Sequence, residues 1–294
     1  MPEGEEQNKM KKIAILMTCF NRREKTKKCL QTLFKNNSEN FQVYLVDDGC
    51  TDGTPDMVKK EFPEVVILKG NGSLYWNQGM RFAFQEAHKK MHPFYLWVND
   101  DVEFTDSLLE NLMRNYECAR NQSSKKDSII VGYTMDKERK SITYGGYRVK
   151  KTFIPISLEK VIPNKKIQNC DTFNGNCVLI PKQVVDEIGY NCEVYKHSSG
   201  DIDYGLTATA ANFDIYLTDF CVGICEANLG ARIWNDIHFK APIKEKYRAM
   251  TSIRFRPNNE WIYFTKKFGG WRWPVRFVMP YIKLAVSSLL NKFS

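Results

Sequence analysis

Four short apolar runs, separated by three stretches of helical periodicity, occupy the first hundred residues and restrict the folds open to this chain. The runs are IAILM (13–17), VYLVD (43–47), VVIL (65–68) and YLWV (95–98), each the length of a buried strand. After the first, Cys29, Leu30, Leu33 and Phe34 share one face of a helix predicted over 24–36. After the second, Thr54 reads as a helix N-cap, Pro55 as the first helical residue, and Met57, Val58 and Phe62 as the apolar stripe. After the third, Met80, Phe84, Ala87 and Met91 mark a helix over 77–91 that Pro93 closes. Strands joined by helical crossovers pair in parallel with helices on both faces, so the expectation is α/β: a Rossmann-like, mostly parallel sheet flanked by helices. Such sheets bind ligands beyond the carboxyl ends of their strands. Here those ends carry residues 18–22, Asp47 with Asp48, residues 70–77, and residues 99–101.

The second half is less regular. Residues 105–120 read as a helix and 129–181 as a small antiparallel insertion of short strands with turns such as Gly145-Gly146. A further helix is expected after Asp201. Beyond Glu260 no acidic residue occurs, and Lys266, Lys267, Arg272, Arg276, Lys283 and Lys292 stand among Trp261, Trp271, Trp273 and several Phe.

A net charge of +9 would suit nucleic acid, acidic lipid or phosphorylated small molecules alike. Nucleic acid is disfavoured because no RNP, zinc-finger or helix-turn-helix signature occurs and the strand ends are acidic where phosphates would require cations. Nine cysteines without a C-x-x-C pair read as reduced thiols. The first ten residues are polar and unlike a secretory signal, and no apolar run reaches membrane-spanning length. The expected location is cytoplasmic.

Three acidic clusters could carry chemistry. VDDGCTDGT (46–54) places two carboxylates at a strand end before a Gly- and Asp-rich turn, although such strings also serve as ordinary turn chemistry. VNDDV (98–102) places adjacent carboxylates after an apolar strand, where a compensating cation is needed. Hard oxygen donors without nearby His or Cys favour Mg²⁺ or Mn²⁺ over zinc. GDIDYGL (200–206) puts Asp201 and Asp203 at the start of a helix, where the helix dipole alone would also favour acids.

In this order, with AILMTCFNR (14–22), GNGSLYWNQGMRFAF (70–84) and FNGNCVLIP (173–181), the strings resemble glycosyltransferase family 2, the inverting nucleotide-sugar transferases of GT-A fold. The likeness runs across roughly residues 11–220 and is nearest the branch building bacterial surface polysaccharides. It implies that Thr18, Phe20 and Arg22 line the nucleotide and that Asp47 and Asp48 hold base and ribose. It also implies that Asn77 faces the donor, that Asn99 and Asp100 lie near ribose or diphosphate, and that Asp101 ligates Mn²⁺ or Mg²⁺. Asp201 matches the catalytic base. Asn99 replaces a commoner Asp, and Gly200 replaces the Glu that usually precedes the base. Glu226 and His238 are candidates for a further metal ligand, while His197 reads as a surface residue; Tyr75 and Trp76 suit either donor stacking or core.

The chain is expected to divide into a polar tail (1–10), a GT-A domain (11–235, with its nucleotide-binding half at 11–104 and acceptor half at 105–235) and a helical extension (236–294). The implied partners are a nucleotide-sugar donor and a glycan or lipid-linked acceptor. In the extension, Val278, Ile282, Val286, Leu289 and Phe293 fall on one helical face, as in a helix lying on a membrane. The protein's own core or a second copy in a homodimer would use the same face, and the interleaved cations favour anionic lipid at the inner face of the cell membrane. Two other readings stay open: a nucleotidyltransferase, although TCFNRREK (18–25) lacks its Gly-rich phosphate loop, and an inactive glycan- or nucleotide-binding relative.

Overall fold

The computed structural model describes residues 12–35, 40–123, 125–227 and 240–290. Strands β1 (Ile13–Cys19), β2 (Phe41–Asp47), β3 (Val66–Lys69) and β4 (Phe94–Val98) pair in parallel in the order β3-β2-β1-β4. Their crossovers are α1 (Arg23–Phe34), α2 (Thr54–Glu61) and α3 (Tyr75–His88). The residue flanking α2 is Gly53, in a left-handed conformation at φ +80°, and Thr54 already belongs to the helix. The Thr54 amide (3.0 Å) and hydroxyl (2.6 Å) both donate to Asp52 Oδ1.

The chain continues through β5 (Glu103–Phe104), α4 (Leu108–Gln122), β6 (Ser128–Met135), β7 (Ile142–Tyr144), β8 (Gly146–Lys150) and β9 (Ser157–Lys160). There follow β10 (Gln168–Cys170), β11 (Thr172–Phe173), β12 (Cys177–Pro181), α5 (Lys182–Ile188), α6 (Gly200–Ala210) and β13 (Asp214–Ile224). The main sheet runs β10-β13-β6-β12-β4-β1-β2-β3. Only β8, β9 and β11 form the separate antiparallel sheet expected within 129–181. The flanking strands β6 and β12 are instead central to the main sheet, with β12 antiparallel to both β4 and β6. Their runs IIV (129–131) and CVLI (177–180) are fully buried because helices cover both faces.

Alternation along β1 sends Ile13, Ile15 and Met17 into a core with Leu30, Leu96 and Leu112, and Ala14 and Leu16 into a second core with Phe84, Trp97 and Tyr204. Two faces buried in this way hold the strand ends in fixed register, Cys19 beside Asp47 and Asp47 beside Lys69. The carboxyl ends of β1, β2 and β4 therefore open on one edge.

Helices α7 (Ile243–Met250), α8 (Asn258–Gly269) and α9 (Trp273–Leu290) complete the described chain, with a 3₁₀ turn at Gly270–Arg272 before α9. Trp261 and Phe264 of α8 pack with Tyr195, Ile156, Ile202 and Phe277, so α8 covers the outer side of α6. No helix among the described residues is long and apolar enough to cross a membrane.

Candidate active site

The loop after β1 meets the turn after β2. Asn21 accepts the Thr51 N–H (2.7 Å) and Asp47 accepts the Cys50 N–H (2.8 Å). Asp48, 4% exposed, fastens the 70–75 loop: Oδ1 accepts from the Gly72 (2.9 Å) and Leu74 (3.2 Å) amides and Oδ2 from the Tyr75 amide (3.0 Å). Gly49, at φ +81°, lies so close to Gly72 that a Cβ would sit 2.9 Å from its Cα, so a side chain here would part the two turns. Thr18 lies under Gly79 of α3, and Phe20 is half exposed at the rim.

At the end of β4 the acidic pair is compensated from the loop after β1 and the first turn of α1. The Arg22 guanidinium donates to Asp100 Oδ1 (2.8 Å) and to Asp101 Oδ2, and Lys25 stands 3.8 Å from Asp101. Thr26 adds a 3.3 Å hydrogen bond to Asp100. Asp100 is nevertheless so deeply enclosed that burial pushes its pKa up to about 7, against the opposing pull of Arg22. Asp101 is more accessible, and the Cys225 thiol approaches its Oδ1 at 3.5 Å. Asn99 does not stand free beside them: its side-chain oxygen accepts the Trp76 indole N–H (2.7 Å), and its carbonyl accepts the Cys29 thiol (3.4 Å).

Trp76 links this edge to Asp201. Its ring packs edge-on to Trp97 and lies so near Gly175 that a Cβ there would fall 2.5 Å from the indole. The Gly175 amide donates to Asp201 Oδ2 (3.0 Å), and the Ile202 amide to Oδ1 (2.8 Å). Burial raises the Asp201 pKa, while these two amides and the Asn174 side chain oppose the rise. Tyr147 of β8 donates to Asn174 (2.8 Å). Burial, with Asp201 nearby, lifts the Tyr147 phenol to about 12.

Arg22, Asp100 and Asp101 are thus in direct contact, and Asn99, Trp76 and Gly175 join them to Asp201. Asn77 is fully buried, donating to the Cys192 and Tyr195 carbonyls (2.8 Å each) and accepting from Asn191 (2.7 Å). Tyr75 is 38% exposed and faces His197 edge-on at 6.4 Å. His197 is half-buried, and burial, with Arg254 and Arg22 nearby, lowers its pKa to about 4. Glu226 is exposed and accepts the Lys137 amide (3.0 Å). His238 lies outside the described residues. Two crevices lie away from the acidic pair, one of about 360 Å³ along α3 and one of about 290 Å³ among Arg81, Tyr190, Asp203 and Lys267.

Sequence reasoning singled out neither Gly175 and Asn174 as partners of Asp201 nor Tyr147, Arg254 and Cys225 as neighbours of the site. FNGNCVLIP (173–181) was the available signal, since a glycine between two asparagines before a buried strand marks a close backbone approach.

A ten-stranded, mixed sheet flanked by helices, with a small separate antiparallel sheet, is the GT-A glycosyltransferase architecture. The chain belongs to the family described as Glycosyl transferase family 2, whose model matches residues 14–189. In structure it is similar to S. aureus TarS 1-349, with a TM-score of 0.54 and 12% identity over 96% of this chain and 90% of that one. A longer S. aureus TarS gives a TM-score of 0.51 and 14% identity over 95% of this chain, which spans 54% of that structure. The mannosyltransferase PcManGT from Pyrobaculum calidifontis, in complex with GDP-Man and Mn2+, gives a TM-score of 0.48 at 10% identity, covering 96% and 87% of the two chains. No curated protein sequence matches significantly.

Proposed function

We propose that the protein transfers a sugar from a nucleotide-diphosphate sugar to a glycan or lipid-linked acceptor, with inversion at the anomeric carbon, in surface-polysaccharide assembly on the cytoplasmic side of the membrane. The observation that supports this most is Asp201: both its oxygens are held by backbone amides, and it connects through Gly175, Trp76 and Asn99 to the Arg22–Asp100–Asp101 cluster. In this reading Asp201 takes the proton of the acceptor hydroxyl as the new bond forms. A single carboxylate serves one in-line displacement, by analogy with the direct route in glycoside hydrolysis. Thr18, Phe20, Arg22 and Asp47 line the nucleotide. Asp48 and Asn77 act from behind, through the loop and helix they fasten.

Among the described residues no group of three or more His, Cys, Asp or Glu could hold a metal unaided. The hard and more accessible carboxylate of Asp101 fits Mg²⁺ or Mn²⁺, which take one or two carboxylates together with substrate phosphates, while Asp100, buried and bonded to Arg22 and Thr26, stays on the ribose or diphosphate side. When bound, the ion neutralises charge on the departing diphosphate. Arg22 holds the two carboxylates in register and offers a fixed cation of its own.

A screen of UDP-, GDP- and dTDP-sugars with and without Mn²⁺, with the product's anomeric configuration read by NMR, tests the reading. Asp201→Asn is expected to lower turnover at least about 10²-fold while donor binding persists. Near-native turnover in that variant removes Asp201 from the role. A retained anomeric configuration overturns the single displacement, and nucleotide binding without any transfer favours the inactive-relative reading.

A further inference from the structure

Through Ser288, the most exposed residues of α9 are all apolar. Pro274, Val278, Ile282, Ala285 and Val286 are exposed, while Leu284 and Ser287 are buried and Arg276 and Lys283 are partly buried. The exposed positions recur at three- and four-residue spacing and so form one stripe along the helix. The opposite side of α9 is already satisfied. The Trp261 indole donates to the Phe277 carbonyl (3.1 Å), Tyr281 donates to Asn258 (2.7 Å), and the buried Lys246 of α7 donates to Ser287 (2.5 Å). The stripe is therefore a second apolar face on a helix whose first face is packed. Trp271, 83% exposed, stands just ahead of it.

Charge identifies the occupant. Residues 240–290 hold eleven Lys and Arg against Glu245 and Glu260, an excess equal to the net +9 of the whole chain, so the remaining residues are neutral in sum. Lys244 and Arg248 lie exposed on α7 beside the equally exposed Ile243 and Tyr247. A second copy of the chain would bring this excess against itself. A bilayer bearing anionic headgroups accepts apolar side chains and cations together.

We propose that α9 lies in the interface of an anionic bilayer, with Val278, Ile282 and Val286 entering the acyl boundary and the exposed cations Lys244, Arg248 and Lys266 meeting lipid phosphates. This surface does not depend on the chemistry at Asp201. It would set the catalytic edge near a membrane, where a lipid-linked acceptor is found.

Co-sedimentation of the full chain with phosphatidylglycerol-containing vesicles, against phosphatidylcholine alone, is the test. Binding is expected to anionic vesicles only, to weaken with added salt, and to shift Trp271 emission to the blue, a shift that Trp271→Phe diminishes. Ile282→Asp and Val278→Asp replace exposed side chains and should leave the melting temperature unchanged while reducing vesicle partition about tenfold or more. Nucleotide-sugar binding measured on the same variants separates loss of this surface from failure of the transferase reading. Absence of binding to anionic vesicles overturns the proposal. So does a homodimer in sedimentation velocity that Ile282→Asp dissociates.

Discussion

Asn77 and Gly200 compete for the same space: the Asn77 side-chain oxygen sits where a side chain on residue 200 would begin. Gly200 opens α6 one residue before Asp201, so the family's usual Glu has no room here while Asn77 keeps its bonds to Asn191, Cys192 and Tyr195. Gly200→Ala is expected to cost about 1–3 kcal/mol through overpacking and to lower turnover by displacing Asp201. Adding Asn77→Ala should recover part of that loss, giving a favourable coupling of about 0.5 kcal/mol or more in a denaturation cycle. Strict additivity would mean that the collision is not what selects glycine.

Asp203 shares the GDID string with Asp201 yet is committed elsewhere. It is 2% exposed, accepts the Tyr195 hydroxyl (2.9 Å) and pairs with Lys267 of α8 (2.7 Å). Lys267→Met would leave that carboxylate buried without its cation. Since Lys267 is itself partly exposed, the expected loss is about 1–3 kcal/mol, below the range for a fully buried pair. Urea unfolding measures it. Asp203→Asn should reduce turnover far less than Asp201→Asn, and equal losses would contradict the division of roles.

Arg22 compensates two carboxylates at once. Arg22→Met is expected to destabilise the fold by about 1–3 kcal/mol, discounted for the exposure of the guanidinium. Asp100→Asn in that background should restore part of the stability, because Asp100 is the more deeply buried acid. Thermal melts of the single and double variants decide this, and a double variant less stable than Arg22→Met would refute it.

His197 stays neutral in the folded protein because burial and the nearby Arg254 and Arg22 lower its pKa to about 4. The unfolded chain, with an ordinary imidazole near 6.5, binds that proton more readily. Stability from this residue is therefore complete above about pH 6.5 and drains away as the pH falls towards 4. Measured against His197→Gln, whose side chain does not titrate, the wild-type-minus-variant stability difference should fall as the pH is lowered across that window. A difference independent of pH would place His197 in a different environment.

The nucleotide-side strands and helices were legible because each is a local pattern: a continuous apolar run, or a stripe at helical spacing. β6 and β12 were not, since their place at the centre of the sheet depends on pairing with β4 and β13 far along the chain. The site divides in the same way. Adjacent Asp100 and Asp101 announce a compensating cation, but local sequence cannot show that Arg22, 78 residues from Asp100, supplies one. The same holds for Asn99, which is held by Trp76 from another element, and for Asp48, whose three amide donors arrive only when the 70–75 loop folds over it.

Those three amides bear on how the cleft meets a ligand. A loop of glycines and small polar residues would ordinarily sample many shapes and surrender that freedom on contact. Here Asp48 has already restricted it during folding, so the entropic penalty at encounter shrinks. On the proposed function, recognition on this side of the cleft would then be closer to lock-and-key than to closure around a guest.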